Sequence, residues 1–323
     1  CWEGAYVWEA LTANNGGVID PWLAKSWEHN DDCTEWTFNL RDDAYFTDGV
    51  QFNADVCLKN IERWGHGITS TYTTLSIEKS LPNLDKMEKV DDFTVKFTFT
   101  QPITTLEYVL SDYGSPMYSP NCFDEETGVI SDYAIGTGPY KITDHVESEY
   151  VTLERNDNYY GEKGKVKTFK IRCIPDAETR VSALKSGEVM GLADNGAITM
   201  DAAKNLCDTD SSFEMDSTPS HMTEYIMFND KNEYLADKRM REAFNLATDR
   251  DSICSVIYGG LLQPAYSFLS TQSTFHLDIQ GAYDMEQAKA LAKEVLGDKT
   301  VDMTMIIRSS TASDYNCKAV AEY

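Results

Sequence analysis

Two stretches of strict alternation constrain this chain more than anything else in it. Trp36, Phe38 and Leu40 alternate with Thr37 and Asn39, and Phe93, Val95, Phe97 and Phe99 alternate with Thr94, Lys96 and Thr98. A period of two puts every large apolar side chain on one face of an extended strand, and that face demands a covering layer. Between the two strands the period changes. Cys57, Ile61 and Trp64 recur at helical spacing behind Asn53, a residue that caps helices by accepting a backbone N–H. Asp48-Gly49 and Asp91-Asp92 supply turns. Residues 65–75 carry no strong period and read as a loop. Strands and helices alternating in this way predict a mixed α/β fold.

The same reading extends down the chain. Short strands are expected around Tyr140–Thr143 and Val151–Arg155, and a third with Phe169, Ile171 and Cys173 on one face. Asp176 predicts a helix with Val181 and Leu184 inward and Gly187 just past its end. Tyr225–Asn229 reads as extended. Asp237 predicts a helix presenting Met240, Phe244 and Ala247, and a second helix holds Ile253 and Ile257 before Gly259-Gly260. Asp284 with Gln287 has the form of a capping box ahead of Ala288, Leu291, Ala292 and Val295, with Gly297 as the stop. Met303, Met305 and Ile307 predict a further strand, and Ser313-Asp314 the start of another helix.

Charge narrows the function classes. The 323 residues carry 28 Lys plus Arg against 53 Asp plus Glu, a net charge of −25. Such a chain repels the phosphates that a nucleic-acid binder must neutralise, and as a whole it repels anionic lipid. A hydrophobic fraction of 42% argues against disorder. Apolar runs are too short to span a bilayer, and the first residues lack the pattern of a basic, apolar leader. The eight cysteines contain no C-x-x-C pair, so zinc ribbons and thioredoxin chemistry are not expected, and free thiols acting as small hydrophobes are.

No catalytic signature emerges. Gly136-Thr137-Gly138 begins like a dinucleotide fingerprint, but Lys141 stands at the third glycine position, and Pro139 leads into a strand; a tight backbone crossing is expected instead. Asp230, Asn232 and Tyr234 lack the glycine of a calcium loop, Leu235 standing there. No two of the five histidines have helical metal-pair spacing. A chain rich in Tyr and Trp without a nucleophile–base pair favours a binding cleft over an active site.

Several blocks carry a family resemblance in order. They are Pro21-Trp22-Leu23-Ala24-Lys25-Ser26-Trp27, Trp36 to Asp43, Phe46-Thr47-Asp48-Gly49, Gly136 to Tyr140, Leu153-Glu154-Arg155-Asn156, Tyr159-Tyr160-Gly161, Ile174-Pro175-Asp176, and Arg241 to Ala247 with Asp249-Arg250 and Tyr258-Gly259. Together they resemble the peptide/nickel class of extracytoplasmic solute-binding proteins that serve ABC importers. The resemblance implies an α/β, two-lobed periplasmic-binding-protein-like clamp closing about a hinge near Phe228-Asn229. Residues 1–17 and 136–228 would form the first-lobe core, 18–135 an inserted subdomain, and 229–323 the start of a second lobe truncated before completion. A cleft lacking part of one lobe would bind ligand weakly or not at all.

What the resemblance implies for the site is also specific. Tyr72 matches an aromatic reaching the cleft, Asn229 a hinge residue that meets an extended peptide, and Trp2 and Glu3 a loop bordering the ligand. Tyr225 lies on the segment leading to that hinge. Nickel-binding relatives hold a chelate with arginines near Pro116 and His66, where this sequence offers Pro116-Met117-Tyr118 and Gly65-His66-Gly67. The expected ligand is therefore a short peptide, with a nickel or other metal chelate held by His66 as the alternative. The implied partners are that solute and a membrane permease. The protein would be a monomer without cofactor or resident metal, acting outside the cytoplasm as a membrane-tethered lipoprotein.

Overall fold

The computed structural model describes residues 4–65, 76–112, 114–130, 132–192, 197–216, 222–273 and 275–306. The chain forms two compact units, residues 1–173 and 174–323.

The first unit begins with a short helix, α1 (Gly4–Val7), and a hairpin, β1 (Thr12–Asn15) with β2 (Val18–Pro21). Gly16 and Gly17 turn it at φ of 66° and 89°, values that glycine adopts without a Cβ penalty. Next come β3 (Ala24–His29), β4 (Glu35–Leu40), α2 (Ala54–Trp64), α3 (Ile77–Ser80), β5 (Leu84–Asp91) and β6 (Thr94–Phe99). These four strands make one antiparallel sheet in the order β3-β4-β6-β5. Trp36 pairs with Phe97 and Phe38 with Val95, so the two alternating stretches share a face. Trp36, Phe38, Leu40, Val95 and Phe97 are at most 1% exposed. Phe38 and Phe97 meet edge to face at 5.8 Å. Helix α2 covers that face with Cys57, Ile61 and Trp64, all fully buried. Asn53 Oδ1 accepts the Val56 N–H at 3.0 Å, the expected cap. Each large side chain buried here stabilises the unit by about 1.5–3 kcal/mol.

The unit closes with α4 (Leu106–Val109), a 3₁₀ turn at Pro120–Cys122, and a second antiparallel sheet, β7 (Tyr140–Val146), β8 (Tyr150–Arg155) and β9 (Thr168–Arg172). Cys173, expected on the inward face of the third strand, lies just beyond β9 and is exposed; its N–H donates to Glu149 O at 2.7 Å. Strand β5 carries no alternation in LDKMEKVD because nearly all of it faces solvent.

The second unit is helical in its described residues: α5 (Ala177–Lys185), α6 (Met200–Thr209), α7 (Lys238–Ala247), α8 (Arg250–Ser252) running into a π turn at Ile253–Ile257, and α9 (Met285–Leu296). Asp176, Asp237 and Asp284 cap α5, α7 and α9. Several faces differ from expectation. In α5 the buried residue is Ala183, with Val181 and Leu184 half-buried. In α7 the buried stripe is Met240, Ala243 and Leu246, which leaves Phe244 at its flank, 38% exposed, with its ring 5.5 Å from Phe228. The Asp284–Gln287 box is half made. Asp284 Oδ1 accepts the Gln287 N–H, but the Asp284 N–H donates to Leu246 O at 3.0 Å, tying α9 to α7. Residues 301–306 form no strand; Met305 and Ile306 are exposed, and alternation without a paired neighbour makes no ladder. The helix expected from Ser313, Ile307 of that strand, and the loop at 66–75 lie outside the described residues.

Candidate functional site

Glu9 stands in Val7-Trp8-Glu9-Ala10-Leu11, an otherwise apolar run, and it is 1% exposed. A buried carboxylate needs compensation, or it costs several kcal/mol. Here four neutral donors supply it. Glu9 Oε1 accepts from Trp22 Nε1 at 2.6 Å, Tyr159 OH at 2.7 Å and Tyr160 OH at 2.9 Å, and Oε2 accepts from Thr137 Oγ1 at 2.7 Å. The Arg41 guanidinium lies over the Tyr160 ring, 3.9 Å from its centroid. Burial, reinforced by the Glu9 charge, pushes both tyrosine pKa values up, so the two hydroxyls stay protonated and keep donating.

The backbone around this carboxylate is equally constrained. Met117 N–H donates to Glu9 O at 2.8 Å, and Gly138 N–H to Val7 O at 2.9 Å. A Cβ at Gly136 or Gly138 would stand 2.0 Å or 2.7 Å from Val7 O. The glycines are thus the tight crossing expected from the sequence. With both carboxylate oxygens engaged by these donors, Glu9 is a clasp joining segments near residues 9, 22, 137 and 160. Sequence reading passed over this cluster; a lone carboxylate inside an apolar run was the available signal.

Of the expected ligand residues, Tyr225 and Asn229 are described. Tyr225 is 57% exposed, its ring 5.1 Å from that of Phe268. Asn229 is exposed, and its Oδ1 accepts the Lys231 N–H at 3.1 Å, a local turn. Trp2, Glu3, His66 and Tyr72 lie outside the described residues. Asn232 Oδ1 accepts the Tyr234 and Leu235 N–H groups, so the Asp230–Tyr234 stretch is a turn. Among the described residues no three His, Cys, Asp or Glu side chains gather as a metal site.

The structure also brings an arginine to Tyr118 that sequence spacing did not. Arg63, on α2, lies 4.7 Å over the Tyr118 ring and donates to Gly128 O at 3.4 Å. It is 4% exposed, and burial lowers its pKa. Its guanidinium packs between the rings of Tyr118 and Phe123. In the same unit a cleft of about 460 Å³ is lined by Tyr45 to Gly49 with Asn156 and Asn158.

The family description "Bacterial extracellular solute-binding proteins, family 5 Middle" matches residues 18–323. The chain belongs to that family. Among curated relatives of this family 5 chain, the glutathione-binding protein GsiB of Escherichia coli K12 is 27% identical over 278 residues, 84% of this chain and 52% of the relative. Among solved structures, NikA from Brucella suis in complex with Fe(III)-EDTA aligns with a TM-score of 0.76 at 24% identity, over 97% of this chain and 62% of that one. An ABC transporter substrate-binding protein from Sinorhizobium meliloti aligns at 0.73 and 28%, over 91% and 60%. DppA from Helicobacter pylori in complex with the peptide STSA aligns at 0.70 and 22%, over 91% and 61%. The α/β solute-binding-protein fold expected from the sequence is thereby shown. The chain spans about half the length of the curated relatives it matches.

Proposed function

We propose that this chain captures a solute for an ABC importer, and that the solute is a short peptide. One observation carries the reading: the family match runs over residues 18–323, and the relatives it brings include a binder of glutathione, itself a short peptide, and a structure holding the peptide STSA. Main-chain groups can satisfy an extended peptide, a mode that tolerates varied side chains. In this reading 1–17 and 136–228 form the first-lobe core, 18–135 the inserted subdomain and 229–323 the second lobe's beginning, with the hinge near Phe228-Asn229. The sheet β3-β4-β6-β5 lying wholly inside 18–135 supports the subdomain. Residues 174–228, however, compact with 229–323. Trp2, Glu3, Tyr72, Tyr225 and Asn229 would meet the peptide, and delivery would be to a membrane permease, outside the cytoplasm.

A metal chelate is the second reading. NikA with Fe(III)-EDTA and NikZ from Campylobacter jejuni with Ni(L-His) favour it. The burial of Arg63 against aromatic rings weighs against it. Tryptophan fluorescence of the full-length protein, titrated with a defined di- to pentapeptide pool, glutathione, and nickel–histidine, separates the two. A saturable response to peptide alone supports the first reading, a response to nickel–histidine alone the second.

A further inference from the structure

A chain of net charge −25 carries a twelve-residue segment of opposite sign. Between residues 161 and 172 stand Lys163, Lys165, Lys167, Lys170 and Arg172 against the single acid Glu162. All five cations are exposed. Lys170 is held by the Tyr150 ring, its Nζ 3.5 Å from the centroid. Asp157 is engaged by Arg155 at 2.8 Å, and its carboxyl is held below the usual range by that bond first and by the fields of Lys163 and Lys167 after it. Strand β9 is one of the two outer strands of the β7-β8-β9 sheet.

Charged edge strands guard against aggregation, and Lys170 and Arg172 on β9 fit that role. It does not account for Lys163, Lys165 and Lys167, which precede the strand at Thr168 and alternate around Val166, an apolar side chain 53% exposed. The clefts lined by Tyr45–Gly49 with Asn156 and Asn158, and by Lys238, Arg241, Glu242 and Asn245, include none of these cations. The stripe is laid on an open surface, which suits a broad, flat anionic partner better than a peptide threaded in a groove.

We propose that this lysine stripe is a docking surface for the anionic headgroups of a lipid bilayer. The rest of the acidic molecule is repelled by such a surface, so the stripe fixes which side faces it. The inference is independent of the solute bound.

The test is flotation of the purified protein with vesicles of phosphatidylglycerol and phosphatidylcholine (1:1), and with phosphatidylcholine alone. Co-flotation with the anionic vesicles is expected at about 20 mM salt, and release at about 300 mM, where the Debye length is much shorter. Each lysine near an anionic surface is worth about fivefold in partitioning. Lys163→Glu/Lys165→Glu/Lys167→Glu/Lys170→Glu should therefore lower it by roughly two orders of magnitude or more. The corresponding Lys→Gln set, milder to folding, should lower it by a smaller factor of the same sign. Lys25→Glu/Lys59→Glu/Lys86→Glu/Lys289→Glu makes the same change in net charge elsewhere and should leave it within about twofold. Equal loss in both glutamate sets, or no binding of the unmodified protein to anionic vesicles, overturns the proposal. So does binding to soluble poly-glutamate without binding to vesicles, which would point to an acidic protein partner.

Discussion

The two units of this protein treat their apolar residues in opposite ways. Around β4, β6 and α2, aromatic side chains are sealed: Trp36, Phe38, Phe97 and Trp64 are at most 1% exposed. In the described residues of 174–306 several large apolar groups stand in solvent, with Phe268, Phe275, Met227 and Ile306 between 69% and 93% exposed. Among the described residues there, the buried side chains are Leu206, Met240, Leu246, Tyr258 and four alanines, Ala183, Ala197, Ala243 and Ala288. Burial, not composition, decides what an aromatic contributes. A phenylalanine at Phe38 stabilises the fold, whereas one at Phe268 leaves most of its surface in water.

Mutation should expose this contrast at its largest. Phe38→Ala should lower unfolding free energy by about 3–5 kcal/mol, and Phe268→Ala should leave it within about 0.5 kcal/mol, both read from urea melts. Comparable losses at the two positions would break the distinction. The Glu9 clasp ranks next. Glu9→Gln places an amide N–H₂ among four donors and should cost roughly 3 kcal/mol, while Tyr160→Phe removes one donor and should cost about 1–2 kcal/mol. An unchanged melting curve for Glu9→Gln would mean the carboxylate is not the centre of the network.

Thiol labelling probes burial within the first unit without altering the chain. Cys57 is fully buried, and burial pushes its thiol up to about 12. At pH 8 it should stay unlabelled by a maleimide while exposed Cys173 reacts, as mass spectrometry of proteolytic fragments would show. Equal labelling of both would show that the first unit opens readily. The smallest effect is expected at Asp237 in the second unit. The Arg239 hydrogen bond, with the backbone N–H of the same residue, lowers its carboxyl to about 2 from the ordinary 3.8. A depressed carboxyl stabilises the folded state fully above its unfolded value and loses that contribution as pH falls through its folded value. Asp237→Asn should therefore melt slightly lower than the parent at pH 6, with the gap closing between pH 4 and pH 2. A gap that widens on acidification would contradict the assignment.

Local rules made much of this fold legible. Asn53, Asp176, Asp237 and Asp284 each cap the helix that follows them, because capping depends on a side chain and a backbone group three residues away at most. Alternation identified β4 and β6 because one face of each is buried. It missed β5, which is mostly solvated, and it predicted a strand whose described part, residues 303–306, forms no ladder. The site was legible only through resemblance. The Glu9 clasp joins residues up to 151 positions apart, and Arg63 meets Tyr118 across 55 positions of sequence; no local pattern announces such meetings. Tyr225 and Asn229 could be named from sequence, but exposure and a local turn are all the structure adds to them.

The central claim is that this family 5 protein captures a short peptide. Native mass spectrometry of the full-length protein, purified without added solute, tests it most directly. The account predicts bound species that, on release and fragmentation, give the sequence ladders of short peptides. A released species with a metal isotope pattern and no peptide ladder would contradict it.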